Sequence, residues 1–121
     1  MEDFYHKVKE IIGKDPRYRP DAYEFLMQAL LLTQRKLKRN GHISAGELLV
    51  GIREFGLDQY GPMAKAVLEY WGIKSTEDFG EIVFNMVENG LMRKTDADSR
   101  DDFKNVYDFN QAFDIFETKN K

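Results

Sequence analysis

Apolar residues recur at helical spacing along most of the chain, and the period changes only near its C-terminal end. Phe4, Tyr5, Val8, Ile11 and Ile12 stand at i, i+1, i+4, i+7 and i+8, one face of a helix over about residues 3 to 12, and Gly13 with Pro16 stops it. Asp21 and Glu24 have the spacing of a capping box, in which each side chain takes up a free backbone N–H of the first turn, so a second helix is predicted to start there. From Ala22 to Leu32 only Glu24 and Gln28 are polar, and Arg35 and Arg39 continue their single stripe. A helix apolar on nearly every other side is predicted to be the central one. Arg35, Lys36, Lys38 and Arg39 crowd its end before Asn40-Gly41, where cations suit the negative pole of the helix dipole.

Ser44 and Glu47 form a second capping box, opening a helix that turns Leu48, Leu49, Ile52 and Phe55 inward and ends near Gly56. In "YGPMAKAVLEYWG" Pro62 fits a first helical position and Gly72 a stop, with Met63, Val67, Tyr70 and Trp71 as the core stripe of a short fourth helix. Trp71 and the tyrosines equally suit a homodimer face, because periodicity gives a stripe without saying what covers it. Ser75 and Asp78 start a fifth helix, over 75–89, whose inward face is Phe79, Ile82, Val83, Met86 and Val87 and whose closing pair is Asn89-Gly90.

Beyond it the segments "LMRKT" and "KNVYDF" read as two short strands around a polar loop, an irregular β-hairpin. Ala112, Phe113 and Phe116 predict a last helical turn packed on Tyr107 and Phe109, ahead of a frayed tail at 117–121. The expectation is a mainly α, single-domain helical bundle over 1–121: an N-terminal helix and connector (1–19), a core (20–116) and a short C-terminal β-hairpin. That layout is winged-helix-like, with "HIS" at 42–44 where such a fold has its first strand and the helix at 75–89 where it enters the DNA major groove.

Charge changes this picture. Between Ser75 and Met92 there is no lysine or arginine, while Glu77, Asp78, Glu81 and Glu88 are all acidic. Each carboxylate near a phosphate costs roughly 1 kcal/mol even in water-like dielectric. Non-specific DNA binding yields only about 5.5 to 8 kcal/mol in total. The scaffold suits a wing, but the usual groove-facing helix is wrong for nucleic acid. Overall the chain carries −3, with ten Lys/Arg against nine Asp/Glu in residues 1–60 and eight against twelve in 61–121.

Composition adds that 42% hydrophobic and 32% charged residues suit a chain that folds by itself. With no cysteine, disulfides and thiolate metal sites are excluded and a reducing compartment is expected. "MEDFYHKVKE" alternates charged with apolar residues, unlike a signal peptide, and the longest aliphatic run, Ala29 to Leu32, is far short of the roughly 20 residues that span a bilayer. A cytoplasmic protein without membrane contact is the expectation.

Candidate chemistry is sparse. "GLMRKTDADSRDDFKNVYDF" clusters aspartates among basic residues; aligned to an EF-hand loop, Asp96 and Asp98 fill the first and third positions, but Arg100, Asp101 and Tyr107 fail the fifth, sixth and twelfth. Arg93, Lys94, Arg100 and Lys104 already neutralise that cluster. "DFG" at 78–80 stands without the glycine loop or catalytic loop of a kinase, and "GHISAGE" without the Lys-Ser/Thr of a phosphate loop. His6 and His42 are the only histidines; His42 near Ser44 suits turn hydrogen bonding better than a base beside a nucleophile.

"GHISAGELLVGIREF", "YGPMAKAVLEYWGIKSTEDFGEIVFNMVENGL" and "DSRDDFKNVYDFNQAF", within about residues 20 to 116, resemble a family of small bacterial proteins of planctomycetes and verrucomicrobia. The resemblance implies a bacterial cytoplasmic setting and one intact domain; it implies no activity, substrate or site residue. The expected role is therefore a non-catalytic protein-interaction module with a protein partner and no cofactor, and its partner-binding candidates are Arg93, Lys94, Asp96, Asp98, Arg100, Asp101 and Asp102. The alternative is a nucleic-acid-binding regulator that uses the basic patch Arg35, Lys36, Lys38 and Arg39, with a metal protein or enzyme third.

Overall fold

The computed structural model describes residues 2–39, 41–93 and 99–113. These form α1 (Glu2–Lys14), α2 (Pro20–Leu37), α3 (Ala45–Tyr60), a 3₁₀ turn (Gly61–Met63), α4 (Ala64–Tyr70), α5 (Thr76–Glu88), a second 3₁₀ turn (Arg100–Phe103) and α6 (Phe109–Ala112). α2 is the hub, packed against α1, α3 and α5. It buries Ala22, Tyr23, Phe25, Leu26, Ala29 and Thr33. Of the inward faces that the spacing predicts for α1, α3 and α5, Val8, Ile11, Leu48, Leu49, Ile52, Phe79, Ile82, Val83 and Met86 are buried and Phe4, Ile12, Phe55 and Val87 partly so, but Tyr5 at the edge of the α1 face is exposed.

Helix ends follow local chemistry, with two departures from the sequence reading. The Ser44–Glu47 box forms, the Ser44 hydroxyl accepting from the Glu47 N–H at 3.1 Å and the Glu47 carboxylate from the Ser44 N–H at 3.0 Å. Asp21 is not a cap: α2 starts at Pro20 behind an extended Arg19, because proline is pre-set for the first helical position and has no N–H to satisfy. Nor does α3 stop at Gly56. It runs on to Tyr60, with Gly56 buried where the rings of Phe25 and Phe113 close over it.

Gly72 at φ +98° and Gly90 at φ +79° end α4 and α5 in the left-handed conformation. Behind each, the six-to-one bond of a Schellman motif forms, from the Ile73 N–H to the Leu68 carbonyl and from the Leu91 N–H to the Met86 carbonyl, 2.9 and 2.8 Å. The predicted stripe of α4 is rotated. Met63 and Tyr70 are exposed, while Ala64, Leu68 and Trp71 are buried. The 3₁₀ turn at 61–63 advances about 120° per residue in place of 100°, which moves the inward face off Met63. Tyr70 instead lies under the Arg19 guanidinium, 4.3 Å from its ring centre.

The expected C-terminal β-hairpin is not found among the described residues. Among the described residues there is no strand: 91–93 are irregular and 104–109 lead from a turn into α6, while 94–98 lie outside the description. "HIS" at 42–44 is likewise not a strand: the segment is irregular, Ile43 is buried and Ser44 caps α3. Among the described residues the layout therefore shows no wing of a winged helix. What replaces a ladder is a row of aromatic anchors, Phe103, Phe109 and Phe113, each buried in the helical body. Phe103 lies against Gly80 of α5, and the Tyr107 hydroxyl donates to the Leu49 carbonyl of α3 at 2.9 Å. Tyr107 does pack on Phe109 as expected, at 6.3 Å between ring centres. Phe116 lies outside the described residues.

Candidate functional site

Two surfaces carry the residues singled out in the sequence, and they differ in how completely their chemistry is already used. The first is polar and joins the α1–α2 connector, α5 and the return segment 99–103. Arg17 forks onto Asp15, Nε and Nη2 donating at 2.8 and 2.7 Å, and also reaches Glu81 at 3.2 Å. Arg100 donates to the same Glu81 carboxylate at 2.7 Å, lies 3.9 Å from Glu88 and stands over the Phe84 ring. Asn85 bridges Asp15 and the Tyr23 hydroxyl, and Tyr18 donates to Asp78 at 2.5 Å.

Electrostatics follow the geometry. The Arg17 fork holds the Asp15 carboxyl well below the usual carboxylate range. Partial burial would raise Glu81, but Arg100 and Arg17 outweigh it and lower the group. Burial, then the Asp78 hydrogen bond, pushes the Tyr18 phenol up. No buried side-chain polar atom among the described residues lacks a hydrogen-bond partner. Every group here is matched, which is the signature of a fastening.

Of the seven expected partner-binding residues, Arg100 falls within that fastening, and Asp101 and Asp102 are engaged inside the return segment itself. Arg100 is spent on Glu81; Asp101 pairs with Lys104 at 3.6 Å; Asp102 accepts from the Ser99 N–H at 2.8 Å. Arg93 is exposed beyond the end of α5, and Lys94, Asp96 and Asp98 lie outside the described residues. Among the described residues no three of His, Asp and Glu converge as a metal-ligand set, and no helix is long and apolar enough to cross a membrane. The acidic α5 is not an open recognition helix, because the return segment crosses it through Phe103–Gly80, Phe84 and Glu81.

The second surface is the groove between α2 and α3. It encloses about 760 Å³ and is lined by Leu32, Thr33, Gly51, Phe55 and Leu57, with Arg35, Lys36, Arg53, Glu54 and Asp58 also on its walls. The helices approach closely where Gly51 faces Thr33; a Cβ on Gly51 would fall 1.9 Å from the Thr33 hydroxyl, which itself donates to the Ala29 carbonyl. Leu32 keeps 37% of its surface exposed and Leu31, beside it on α2, 51%. Phe55 stacks on Phe25 at 5.1 Å and is half-buried.

The alternative basic patch borders this groove. Lys36 pairs with Glu54 at 2.8 Å and Arg39 with Glu47 at 2.6 Å, so carboxylates of α3 offset two of its four cations. Arg35 and Lys38 have no ion-pair partner among the described residues. Sequence reading missed the groove. The available signal was α2 itself, whose apolar run is wider than one buried face requires. A smaller hollow of about 420 Å³, lined by Lys65, Glu69, Lys74, Glu77 and Asp108 among others, is polar and of mixed charge. Compared with known proteins, the chain matches no family model, no curated protein and no solved structure.

Proposed function

We propose that the chain is a non-catalytic protein-interaction module and that the groove between α2 and α3 is its docking face. One observation carries the reading: Leu32 is exposed on the wall of an apolar recess, with Leu31 exposed next to it on the central helix, while among the described residues no buried side-chain polar atom lacks a partner. Exposed apolar surface costs roughly 25 cal/mol per Å² relative to its burial, and a partner that covers it recovers that free energy. The resemblance to small bacterial proteins fits an intracellular role of this kind and supplies no residue.

A nucleic-acid role for Arg35, Lys36, Lys38 and Arg39 is the second reading, favoured by Arg35 and Lys38 having no ion-pair partner among the described residues. Two cations weigh little against the six to ten phosphate contacts of a typical binder. Both readings meet one experiment, a photo-reactive residue at Lys36 compared with one at the exposed Lys9 of α1, irradiated in nuclease-treated lysate. Docking predicts protein adducts at position 36 that nuclease leaves intact and position 9 lacks. Adducts lost with nuclease, or equal at both positions, would overturn it.

A further inference from the structure

We infer that the groove between α2 and α3 is occupied by a second copy of this chain, in a two-fold symmetric dimer; the inference rests on the docking face proposed above. An isologous interface must be complementary to itself, so the same patch has to supply both the projecting and the receiving parts, and both signs of charge. This patch does. Leu32 is exposed on the α2 wall, with Leu31 exposed next to it in the helix, and the recess is also lined by Phe55, Leu57 and the side-chain-free Gly51.

The charges divide by helix. On the groove walls α2 contributes the cations Arg35 and Lys36, and α3 contributes the anions Glu54 and Asp58 together with Arg53. Arg53 is already turned to the C-terminal segment, its Nε donating to the Ala112 carbonyl at 3.1 Å. Within one copy Lys36 and Glu54 satisfy each other across the gap at 2.8 Å. That leaves one charge of each sign, Arg35 on α2 and Asp58 on α3, without an ion-pair partner among the described residues. A two-fold axis beside Leu32 sets α2 of each copy over α3 of the other, bringing each Arg35 to the other copy's Asp58. Nucleic acid would meet Glu54 and Asp58 on the same face.

The test is sedimentation equilibrium of the full chain from about 1 µM to 1 mM, a range that covers dissociation constants of weak and moderate dimers. A concentration-dependent dimer is expected. Leu32→Asp abolishes it, and Arg35→Asp or Asp58→Arg each weaken it about tenfold or more, because symmetry counts every change twice. All three positions are exposed, and circular dichroism checks that each variant keeps its helices. Mixing Arg35→Asp with Asp58→Arg restores association, since both cross-copy pairs are opposite in sign again in the heterodimer.

A chain monomeric throughout the range, or a dimer indifferent to these variants, would overturn the inference. A monomer that still gives nuclease-resistant adducts with another protein at position 36 overturns the dimer alone and leaves the docking face standing. Loss of all adducts removes both.

Discussion

Gly80→Ala tests whether the return segment is held by close approach to α5. An ideal Cβ at Gly80 would sit 2.9 Å from both Cβ and Cγ of Phe103, a backbone-proximal part of a ring that is 1% exposed. Neither partner has slack, as the contact is with the stem of Phe103 and not with a flexible tip. Glycine to alanine inside a helix gains roughly 0.5 to 1 kcal/mol of propensity. Overpacking a filled core costs about 1 to 3 kcal/mol, so the net expectation is a loss of about 1 to 2 kcal/mol. In a Phe103→Gly background, itself at least about 3 to 5 kcal/mol less stable, both the Cβ and the ring that obstruct are gone and the same substitution turns stabilising. Urea denaturation of the four proteins, followed by circular dichroism, gives a coupling of about 2 kcal/mol and a reversal of sign. Gly80→Ala acting with one sign in both backgrounds would refute the close-packing argument.

Three further outcomes follow from named contacts. Lys38 sits at φ 57° after α2, a left-handed position that costs a side chain roughly 1 kcal/mol, so Lys38→Gly raises the denaturation midpoint. Tyr107→Phe removes the donor to the Leu49 carbonyl and costs about 0.5 to 1.5 kcal/mol in the same assay. The folded Asp15 and Glu81 carboxyls lie below their unfolded values, so their contribution is present above about pH 4 and lost as pH falls through the folded values. Asp15→Asn accordingly flattens the acid limb of a melting-temperature profile; an unchanged limb contradicts the assignment. Burial raises the Tyr18 and Tyr107 phenols, so the opposite limb falls only above about pH 10.

How much was legible in advance varies by residue. Helical faces in α1, α3 and α5 were readable because an apolar period of 3.6 has one geometric meaning, and the Ser44–Glu47 cap because both partners lie within one turn. The hairpin was misread because short mixed segments near 91–95 and 104–109 carry no period strong enough to separate strand from anchored coil. The Asp15–Arg17 pair, Glu81 and Arg100 come from three separate stretches of the chain, and no local pattern announces that they share one site.

The chain by itself determined a helical protein built around the segment following Pro20, since that follows from spacing, capping and composition within neighbouring residues. Tertiary structure decided which side of α2 stays open: its apolar residues outnumber the places its neighbours cover, and only packing leaves Leu31 and Leu32 at the surface. It also decided that the acidic face of α5 is a fastening for Arg17 and Arg100. Charge is legible residue by residue, but its partner is set by a fold that brings distant residues within hydrogen-bond reach.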